Sequence, residues 1–402
     1  MLRVLTLSSL FPDATRPNFG VFVERQTLGL AAHPDVVLKV VSPIGIPPLG
    51  STFSRRHASL ANLPLREEWR GLDVLRPRFA MIPATRGRFH AAMLERALVP
   101  VLAKLRRDFP FDVIDASFFF PDGPAAIALG QRFDVPVSIK ARGADIHFWG
   151  NAPVTAGQVR AAGRLADGML AVSAAMRRDM IAMGMPGDRV RVHHTGVDMA
   201  RFAPADREAA KAALGIAGPL IASVGALIPR KRHDVVIEAV ATLPGVSLIV
   251  AGEGAERGRL EALIATLGVQ DRVRLAGSVP HERMPALMAA ADVMALASAS
   301  EGLANVWVEA LASGTPLVIP DIGGAGEVVT DPAYGRLATP DGKGFASGIA
   351  CILANPPAPE AVRAGAARFT WEANTAGLYD HLKVLSDHFL AAGRGTPRHA
   401  AA

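Results

Sequence analysis

Short apolar runs alternate with amphipathic stretches along almost the whole chain. The apolar runs have the length of β-strands and occupy residues 3–10, 36–43, 111–116, 135–142, 168–173 and 190–197 in the first half and 219–225, 247–254, 273–277, 292–298 and 316–321 in the second. Stretches with helical spacing lie between them, as at residues 232–242, 255–267 and 281–290. This alternation predicts an α/β fold with parallel sheets covered on both faces. Right-handed crossovers then make each half a doubly wound, Rossmann-like domain.

The boundary between the two halves is predicted from the segment at residues 198–218, which has the pattern of a connector followed by a short helix. We therefore expect one domain over residues 1–198 and a second over residues 199–370. Residues 46–66 and 79–88 are rich in Pro, Gly and Arg and are predicted to be loops. Such sheets bind ligands beyond the carboxyl ends of their strands, so two of them in tandem are expected to face a central cleft.

Composition excludes several classes of protein. The chain has 402 residues, of which 50% are hydrophobic, and this is enough for two or three packed domains and argues against disorder. A single cysteine, Cys351, excludes an internal disulfide framework and a cysteine-rich metal site. No apolar run is long enough to cross a bilayer, and the first residues resemble a β-strand more than a signal peptide. These features predict a cytoplasmic protein.

Charge is distributed unevenly between the two halves. Residues 1–200 carry 25 Lys and Arg against 17 Asp and Glu, whereas residues 201–402 carry 18 against 20. A basic first half favours an anionic partner, such as nucleic acid, a phosphorylated substrate or an anionic membrane surface. A generally arginine-rich proteome is the alternative explanation. The amphipathic stretch at residues 89–110 could rest on lipid, but Pro100 interrupts it and a packed core helix is the simpler interpretation.

Two glutamates, Glu301 and Glu309, stand at the opening of an apolar helix that ends at a glycine. The amides of Gly302, Leu303 and Ala304 are expected at the start of this helix, where unpaired N–H groups bind anions such as a diphosphate. Carboxylates repel phosphate, so the glutamates are expected to accept hydrogen bonds from hydroxyls, as on a ribose and a hexose. Alternatively, neither glutamate binds a ligand. The helix dipole favours an acidic residue such as Glu301 at a helix start, and Glu309 is a half-exposed helical residue. The pattern alone leaves both interpretations open.

Three consecutive cations, Arg230, Lys231 and Arg232, follow a predicted strand and Gly225. At the carboxyl end of a sheet they could neutralise a diphosphate, and arginine can bind it through two hydrogen bonds at once. A run of charge is more often a solvated face, and the position of this run after a strand is what favours binding.

The glycines at 252, 254 and 258 follow another predicted strand. Their spacing is G-x-G-x-x-x-G rather than that of a dinucleotide-binding fingerprint, and the later acidic residue of that fingerprint is missing. A tight turn from strand to helix is the better interpretation.

In the first half, Arg142, Asp145 and His147 follow the strand at residues 135–142 and are expected in the cleft. Gly20, in the loop after the first strand, would let the backbone approach a ligand closely before a helix begins. No D-x-D occurs, so a carboxylate pair that binds a divalent metal and a diphosphate is not evident. The motifs of zinc proteases, serine hydrolases and P-loop proteins are also missing.

These segments together resemble a known family. EGLANVWVEALASGTPLVIPDIGGAGEVV resembles the E-x7-E segment of retaining family-4 glycosyltransferases, which have the GT-B fold of two Rossmann-like domains. Further matches are AVSAAMRRDMIAMGMPGDRVRVHHTGVDMARFAP, PRKRHDVVIEA, AGEGAERGRLEAL and FTWEANTAGLYDHL, so the resemblance covers nearly the whole chain. It implies a nucleotide-sugar donor held by the second domain and a glycan or lipid-linked acceptor bound by the first. It also implies that residues 371–402 form a helix that crosses back to the first domain, followed by a tail predicted to be disordered.

The resemblance also implies roles for single residues. Glu309 would bind the ribose and Glu301 the donor sugar, while Gly277, Ser278 and Val279 would lie along the base. The implied catalytic residues are Glu301, Lys231, Arg142 and Asp145. The implied donor-binding residues are Gly20, Arg230, Lys231, Ser278, Val279, Glu301, Gly302, Leu303, Ala304, Asn305 and Glu309. No metal, cofactor or nucleic acid is expected.

The implied reaction moves a hexosyl unit with retention of configuration and without metal, in polysaccharide or glycolipid synthesis. The departing β-phosphate accepts the proton of the acceptor, and the protein supplies electrostatic stabilisation and excludes water. Two positions depart from the family pattern, because Arg142 replaces the histidine of an H-G-x-D sequence and Ala226 replaces an arginine. A GT-B epimerase and a catalytically weak, nucleotide-sugar-binding partner subunit therefore stay open as alternatives. The expected location is cytoplasmic, including the inner face of the membrane.

Overall fold

The computed structural model describes residues 1–48 and 54–394, and these residues form two compact units. The first unit contains residues 1–194 together with the segment that begins at Trp371, and the second unit contains Thr195–Thr370. Both are Rossmann-like α/β units, as the alternation of apolar strands and amphipathic helices predicts. The chain passes from one unit to the other at residue 194, four residues before the boundary that the connector pattern predicts.

The first unit is built on parallel β-strands. Its strands are β1 (Leu2–Leu7), β2 (Val36–Val41), β3 (Ile44–Ile46), β4 (Arg66–Trp69), β5 (Leu72–Leu75), β6 (Arg78–Ala80), β7 (Val113–Ala116), β8 (Val137–Ala141), β9 (Gly168–Ala171) and β10 (Val190–Val192). Eight of them form one sheet in the order β10-β9-β8-β7-β1-β2-β5-β4, and β3 pairs with β6. All neighbours are parallel except β4 and β5, which form a hairpin. The hairpin turn places Arg70 and Gly71 at positive φ, which matches the right-handed twist of the paired strands.

Helices cover this sheet. They are α1 (Val21–Ala31), α2 (Arg55–Ala61), α3 (His90–Asp108), α4 (Asp122–Phe133), α5 (Ala156–Leu165) and α6 (Ala174–Ala182). Helix α3 runs unbroken through Pro100 and buries Leu94, Leu98 and Leu102 in the main core of the unit. The amphipathic stretch at residues 89–110 is therefore a packed helix, which was the simpler of its two interpretations.

The loop prediction was partly wrong. Helix α2 lies within residues 46–66, and β6 extends into residues 79–88, while residues 49–53 fall outside the described part of the chain. The hairpin β4–β5 was also not predicted. Its first strand, Arg-Glu-Glu-Trp, has no apolar run because Arg66 and Glu68 are exposed and Glu67 and Trp69 are only half-buried at the edge of the sheet.

The second unit has a six-stranded, fully parallel sheet in the order β13-β12-β11-β14-β15-β16. The strands are β11 (Leu220–Val224), β12 (Ser247–Ala251), β13 (Val273–Gly277), β14 (Val293–Ala295), β15 (Leu317–Ile319) and β16 (Gly335–Leu337). The helices are α7 (Arg207–Ala213), α8 (His233–Ala241), α9 (Arg257–Leu267), α10 (Met284–Ala290), α11 (Asn305–Ala312), α12 (Ala325–Val328), α13 (Gly342–Ala354) and α14 (Pro359–Ala364). Only β16 was not predicted, because its residues Gly-Arg-Leu at the edge of the sheet form no apolar run.

The long helix α15 (Trp371–Ala391) belongs to the first unit. Leu378 and Leu382 join a buried cluster with residues of β1, α1 and β7. His381 is also buried there, and its Nε2 lies 3.0 Å from the Ser138 hydroxyl of β8. Within residues 1–48 and 54–394, no helix combines the length and hydrophobicity that crossing a bilayer requires.

Candidate functional site

The carboxyl ends of the strands in the second unit carry most of the predicted site residues. Because β11, β12, β14 and β15 run parallel, the segments that follow them emerge at one edge of the sheet. These segments cover residues 225–231, 252–256, 296–304 and 320–324. They hold Arg230, Lys231, Glu301 and Gly302, and helix α11 begins directly after Ala304.

A close ion-pair cluster lies at this edge. The Nζ of Lys231 donates to the Oε1 of Glu301 at 2.5 Å, and the Nη1 of Arg230 lies 3.2 Å from the same oxygen. The side chains of Lys231 and Glu301 are 13% and 10% exposed, whereas that of Arg230 is 45% exposed. The backbone ties the two loops together, since the amide of Ala299 donates to the carbonyl of Arg230 at 2.8 Å. Residues that stand 70 positions apart in the sequence therefore form one site.

The electrostatics of this cluster favour an ionised Glu301. Burial of the carboxyl raises its pKa, but the charge and hydrogen bond of Lys231 and the charge of Arg230 lower the pKa, and the net direction is downward. At neutral pH the cluster thus holds two cations against one carboxylate and carries a net positive charge. The stem of Lys231 lies over Gly225, where a Cβ would sit 3.3 Å from the lysine Cδ. Glycine at that position lets the lysine lie flat along the loop.

The start of helix α11 presents unpaired amides. Gly302, Leu303 and Ala304 are buried, and Ala304 caps the helix without a side-chain hydrogen bond. The amides of these three residues have no acceptor within the part of the chain that the structure describes. Asn305 is the first helical residue, and the fully buried Trp307 anchors the first turn in the core. Such a helix start attracts an anion, because its N–H groups and the helix dipole carry positive charge.

A glycine pair that sequence reasoning missed holds this helix start in place. The amide of Gly324 donates to the carbonyl of Gly302 at 2.8 Å. Gly323 has a positive φ of 50°, and a Cβ there would sit 1.9 Å from the carbonyl oxygen of Glu301. Only glycine permits this approach. The signal was present in the sequence as Gly-Gly shortly after β15.

The glycines at 252 and 254 form the tight turn that their spacing suggested. A Cβ on Gly252 would sit 1.9 Å from the carbonyl oxygen of Gly225, and one on Gly254 would sit 2.2 Å from that of Leu227. These glycines therefore bring the loop after β12 against the loop that carries Lys231. They support the site through backbone packing and not through a dinucleotide-binding fingerprint.

The remaining donor-site predictions fall at the same end of the second unit. Glu309 lies one turn into α11 and is partly exposed. Ser278 follows β13 and is exposed, and its amide donates to Glu253 Oε1 at 3.4 Å. Val279 is half-buried beside it. The roles of these three residues toward a nucleotide stay predictions.

In the first unit, the carboxylate of Asp145 is hydrogen-bonded to backbone amides. Its carboxylate accepts hydrogen bonds from the amides of Arg142 at 2.9 Å, Gly143 at 2.7 Å and Phe119 at 3.0 Å. The residue is fully buried, and burial raises its pKa although the three amides lower it. Asp145 thus fixes the loop after β8, and the implied catalytic role stays a prediction.

Arg142 is held from three sides. Its Nε donates to the carbonyl of Ser117 at 2.6 Å, its Nη2 lies 3.3 Å from the amide oxygen of Gln26, and its Cζ lies 4.9 Å from the centre of the Phe22 ring. Burial lowers the pKa of the Arg142 guanidinium to about 10, so the group stays cationic at neutral pH. Arg142 can therefore bind an anion or a hydroxyl but cannot act as a base.

A buried network beside Arg142 was not predicted. The Nζ of Lys140 donates to Gln26 at 2.8 Å and lies 2.6 Å from the Nδ1 of His193. The Nε2 of His193 donates to the carbonyl of Asn374 at 2.7 Å, which leaves Nδ1 free to accept from the lysine. Burial is the main reason why the pKa of Lys140 lies well below its usual value. A lysine within the apolar run VPVSIKAR was the available signal.

Gly20 is the last predicted site residue. It precedes α1 with a left-handed φ of 73°, and a Cβ there would sit 2.5 Å from the carbonyl oxygen of Leu10. The close backbone approach that the sequence suggested is thus made within the first unit itself. Its contact with a phosphate stays a prediction. Among the described residues, no group of three or more His, Cys, Asp and Glu side chains is placed to hold a metal ion.

Comparison with protein families matches both halves of the chain. Residues 206–369 match the model described as glycosyl transferases group 1, and residues 55–201 match the model described as glycosyltransferase family 4. Together the two domains indicate a GT-B glycosyltransferase of the family-4 type.

Curated relatives share the name D-inositol 3-phosphate glycosyltransferase. The one from Nocardia farcinica is 35% identical over 263 residues, which is 58% of this chain and 58% of the relative. The one from Mycobacterium tuberculosis strain H37Ra is 38% identical over 216 residues, which is 50% of this chain and 45% of the relative. The chain therefore spans about half the length of the curated relatives that it matches.

Solved structures are similar in fold. Sucrose-phosphate synthase from Thermosynechococcus elongatus is 20% identical, with a TM-score of 0.77, and the match covers 98% of this chain and 100% of that one. HepE of Anabaena, solved in complex with UDP, is 20% identical with a TM-score of 0.73, and the match covers 96% and 100%. These neighbours show the GT-B fold.

Proposed function

We propose that the protein is a retaining, metal-independent glycosyltransferase that moves a hexosyl unit from a nucleotide sugar to a glycan or lipid-linked acceptor in the synthesis of cell-surface polysaccharide or glycolipid. The observation that carries the proposal is the cluster of Lys231, Arg230 and Glu301 beside the unpaired amides at the start of α11. This arrangement suits a diphosphate that is bonded to a sugar. The family matches support the same class of reaction.

The donor would bind at the carboxyl edge of the sheet in the second unit. The amides of Gly302, Leu303 and Ala304 and the side chain of Lys231 would hold the diphosphate, with the exposed Arg230 beside it. Asn305 would lie at the same helix start. Glu309 would accept from ribose hydroxyls, and Ser278 and Val279 would lie along the base. Glycines at 323 and 252 support this arrangement, because they position the loops that would carry the ligand.

The chemistry follows from the charges at the site. Sugar transfer requires a leaving diphosphate, and Lys231 and Arg230 would stabilise the charge that it gains. The diphosphate would compete with Glu301 for these two cations, so binding would release the carboxylate toward the hydroxyls of the donor sugar. No protein nucleophile is needed if the departing phosphate takes the proton of the acceptor on the same face of the sugar.

The acceptor would bind the first unit, where we infer that Arg142 contacts it. The guanidinium stays charged near neutral pH because burial lowers its pKa only to about 10. An acceptor with a phosphate or several hydroxyls would suit this cation. The relatives named D-inositol 3-phosphate glycosyltransferase support an acceptor of this kind.

Calorimetric titration tests the donor site most directly. The protein is titrated with UDP, GDP and their common sugars, starting with UDP-glucose, with which HepE has also been solved. We expect binding of one of the diphosphates, and Lys231→Ala to weaken it at least tenfold. The matched control is Lys343→Ala, since Lys343 is an exposed lysine of the same unit. Absence of binding to every nucleotide would contradict the proposal.

The alternative activities are separated by two further measurements. An epimerase would convert a single nucleotide sugar into its isomer without acceptor, and chromatography of the nucleotide sugar detects that product. A catalytically weak partner subunit would bind the donor but transfer no sugar. The exposed Ala226, which departs from the family pattern that the sequence resembles, is the residue that keeps this second alternative open.

A further inference from the structure

Exposed aromatic residues and arginines lie together on one surface of the first unit. The side chain of Phe148 is 62% exposed, that of Phe89 is 41% exposed and that of Val154 is 37% exposed. Arg86, Arg88 and Arg160 are exposed as well. We call these six residues the aromatic–arginine surface.

Contacts join residues 87 and 88, in the loop before α3, to residues 149–158. The side-chain Nε2 of Gln158 donates to the backbone carbonyl of Arg88 at 3.1 Å, which joins α5 to the loop before α3. Gly87 packs against Trp149 and Thr155, since a Cβ there would sit 3.0 Å and 3.2 Å from their side chains. The rings of Phe148 and Trp149 meet edge to face, with centroids 5.0 Å apart. Residues far apart in the sequence thus form one patch.

The two segments contain no acidic residue. Residues 74–94 lie between Asp73 and Glu95, and residues 146–166 lie between Asp145 and Asp167. One acidic side chain borders the patch, because Asp179 lies 2.9 Å from the Nε2 of His147. The surface therefore combines positive charge with exposed apolar side chains.

This combination fits the boundary between lipid headgroups and acyl chains. Arginines on such a surface attract anionic headgroups, while exposed phenylalanines gain by entering the apolar layer. The phosphates of a nucleic acid would bind the arginines, but Val154 and the two exposed phenylalanines would have no apolar partner. The chemistry of the whole patch is thus best matched by an anionic membrane.

We propose that the aromatic–arginine surface docks the protein on an anionic membrane. The proposal rests on the proposed function, in that a lipid-linked acceptor would be met at that membrane. It also differs from the lipid contact at residues 89–110, which the sequence left as the less simple interpretation. The stretch at residues 89–110 buries its apolar face in the core, so the contact lies instead on the loop before α3 and on the residues that lead into α5.

Vesicle co-sedimentation of the full chain tests the proposal. The probes are vesicles of phosphatidylcholine alone and vesicles that also contain phosphatidylglycerol. We expect binding only to the second kind. The triple variant Arg86→Gln, Arg88→Gln, Arg160→Gln should bind about 100-fold more weakly, since each arginine near an anionic surface contributes roughly fivefold. The double variant Phe89→Ser, Phe148→Ser should also lose binding.

A matched control separates binding by this surface from nonspecific binding by exposed apolar side chains. Leu267→Ser with Leu337→Ser removes two side chains of the second unit that are 38% and 40% exposed, and it should bind vesicles like the wild type. Lack of wild-type binding, equal binding to neutral vesicles, unchanged binding of the variants or capture of RNA in place of vesicles would each overturn the proposal. The same variants are expected to bind nucleotides with the affinity of the wild type. Vesicle binding without any nucleotide binding would leave the surface standing and refute the proposed function.

Discussion

Two charged clusters lie at the carboxyl ends of the two main sheets, and they differ in what satisfies their charges. In the first unit, Arg142 and Asp145 are engaged by backbone carbonyls and amides of the loops after β7 and β8. In the second unit, Lys231 and Glu301 chiefly engage each other, beside amides with no acceptor among the described residues. The hydrogen bonds of Asp145 are thus made without a ligand. The cluster of the second unit can exchange a carboxylate for a phosphate.

The comparison teaches that a charged residue after a strand has two different uses. A carboxylate that accepts three amides, as Asp145 does, stabilises a loop and has little freedom to act on a ligand. A carboxylate that neutralises two cations, as Glu301 does, can be displaced by a stronger anion. The four predictions below test this difference, beginning with the largest expected effect.

The largest effect is expected from Glu301→Ala. Sugar transfer should fall about 100- to 1,000-fold, the usual loss when a group that stabilises developing charge is removed. The affinity for a nucleoside diphosphate should stay equal or increase, because Lys231 and Arg230 lose their competitor. Initial rates and calorimetry measure the two quantities. Glu360→Ala, an exposed glutamate of the same unit, is the control, and transfer at the wild-type rate would refute the assigned role.

Gly323→Ala should destabilise the second unit by about 3 kcal/mol, because its Cβ would meet the carbonyl oxygen of Glu301 at 1.9 Å. Gly326→Ala is the matched control, since no atom lies within 4 Å of a Cβ there and alanine favours a helix. Urea unfolding followed by the fluorescence of Trp307, the tryptophan of residues 195–370, measures the free energy of unfolding of both variants. Equal stability of the two variants would contradict the close packing at the helix start.

Acid should destabilise both units through one buried histidine in each. Burial lowers the pKa of His381 to about 3 and that of His233 to about 4. Because these values lie below the unfolded value of about 6.5, the unfolded chain binds the proton first as pH falls. The stability that each neutral histidine supports is therefore fully present above about pH 6.5 and falls by about 3 kcal/mol each by pH 4, with a further loss below pH 4 for His381.

The measurement is the free energy of unfolding against pH for the wild type, His381→Gln and His233→Gln. Each variant should lose less stability than the wild type over that range. A variant with the same pH dependence as the wild type would show that its histidine is protonated in the folded state.

The smallest effect is expected from Asp145→Asn. An asparagine offers one acceptor oxygen where the carboxylate serves three amides, so the first unit should lose about 2 kcal/mol of stability. Nucleotide affinity, which we assign to the second unit, should not change. Asp188→Asn, an exposed position of the first unit, is the control. A fall in nucleotide affinity without loss of stability would instead favour a direct ligand role for Asp145.

The pattern of the sequence predicted the architecture well because both sheets are mostly parallel and covered by helices. Buried parallel strands such as β12 are apolar along most of their length, and even β8, which carries Lys140, leaves a visible run. The edge strands β4 and β16 left no such run, since one is Arg-Glu-Glu-Trp and the other is Gly-Arg-Leu. Helix α2 was missed because its neighbourhood is rich in residues that favour loops.

The candidate site was predicted in part. Local spacing placed Glu301, Gly302 and the start of α11 correctly, because a helix start depends on neighbouring residues. The pairing of Glu301 with Lys231 joins two loops 70 residues apart, and only the order of strands in the sheet brings them together. The network of Lys140 and His193 escaped prediction for the same reason.

The amino-acid sequence by itself determined the alternation of strands and helices, the two-part organisation and the amides that begin α11, since each follows from short-range apolar spacing and backbone geometry. Tertiary structure alone decided which charges neutralise each other and which stay available to a ligand, because that choice depends on distances of a few ångströms between residues that the chain holds far apart. The same reason separates Asp145 from Glu301. Both are acidic residues that follow a strand, and only their neighbours in space decide that Asp145 stabilises a loop whereas Glu301 belongs to a candidate ligand site.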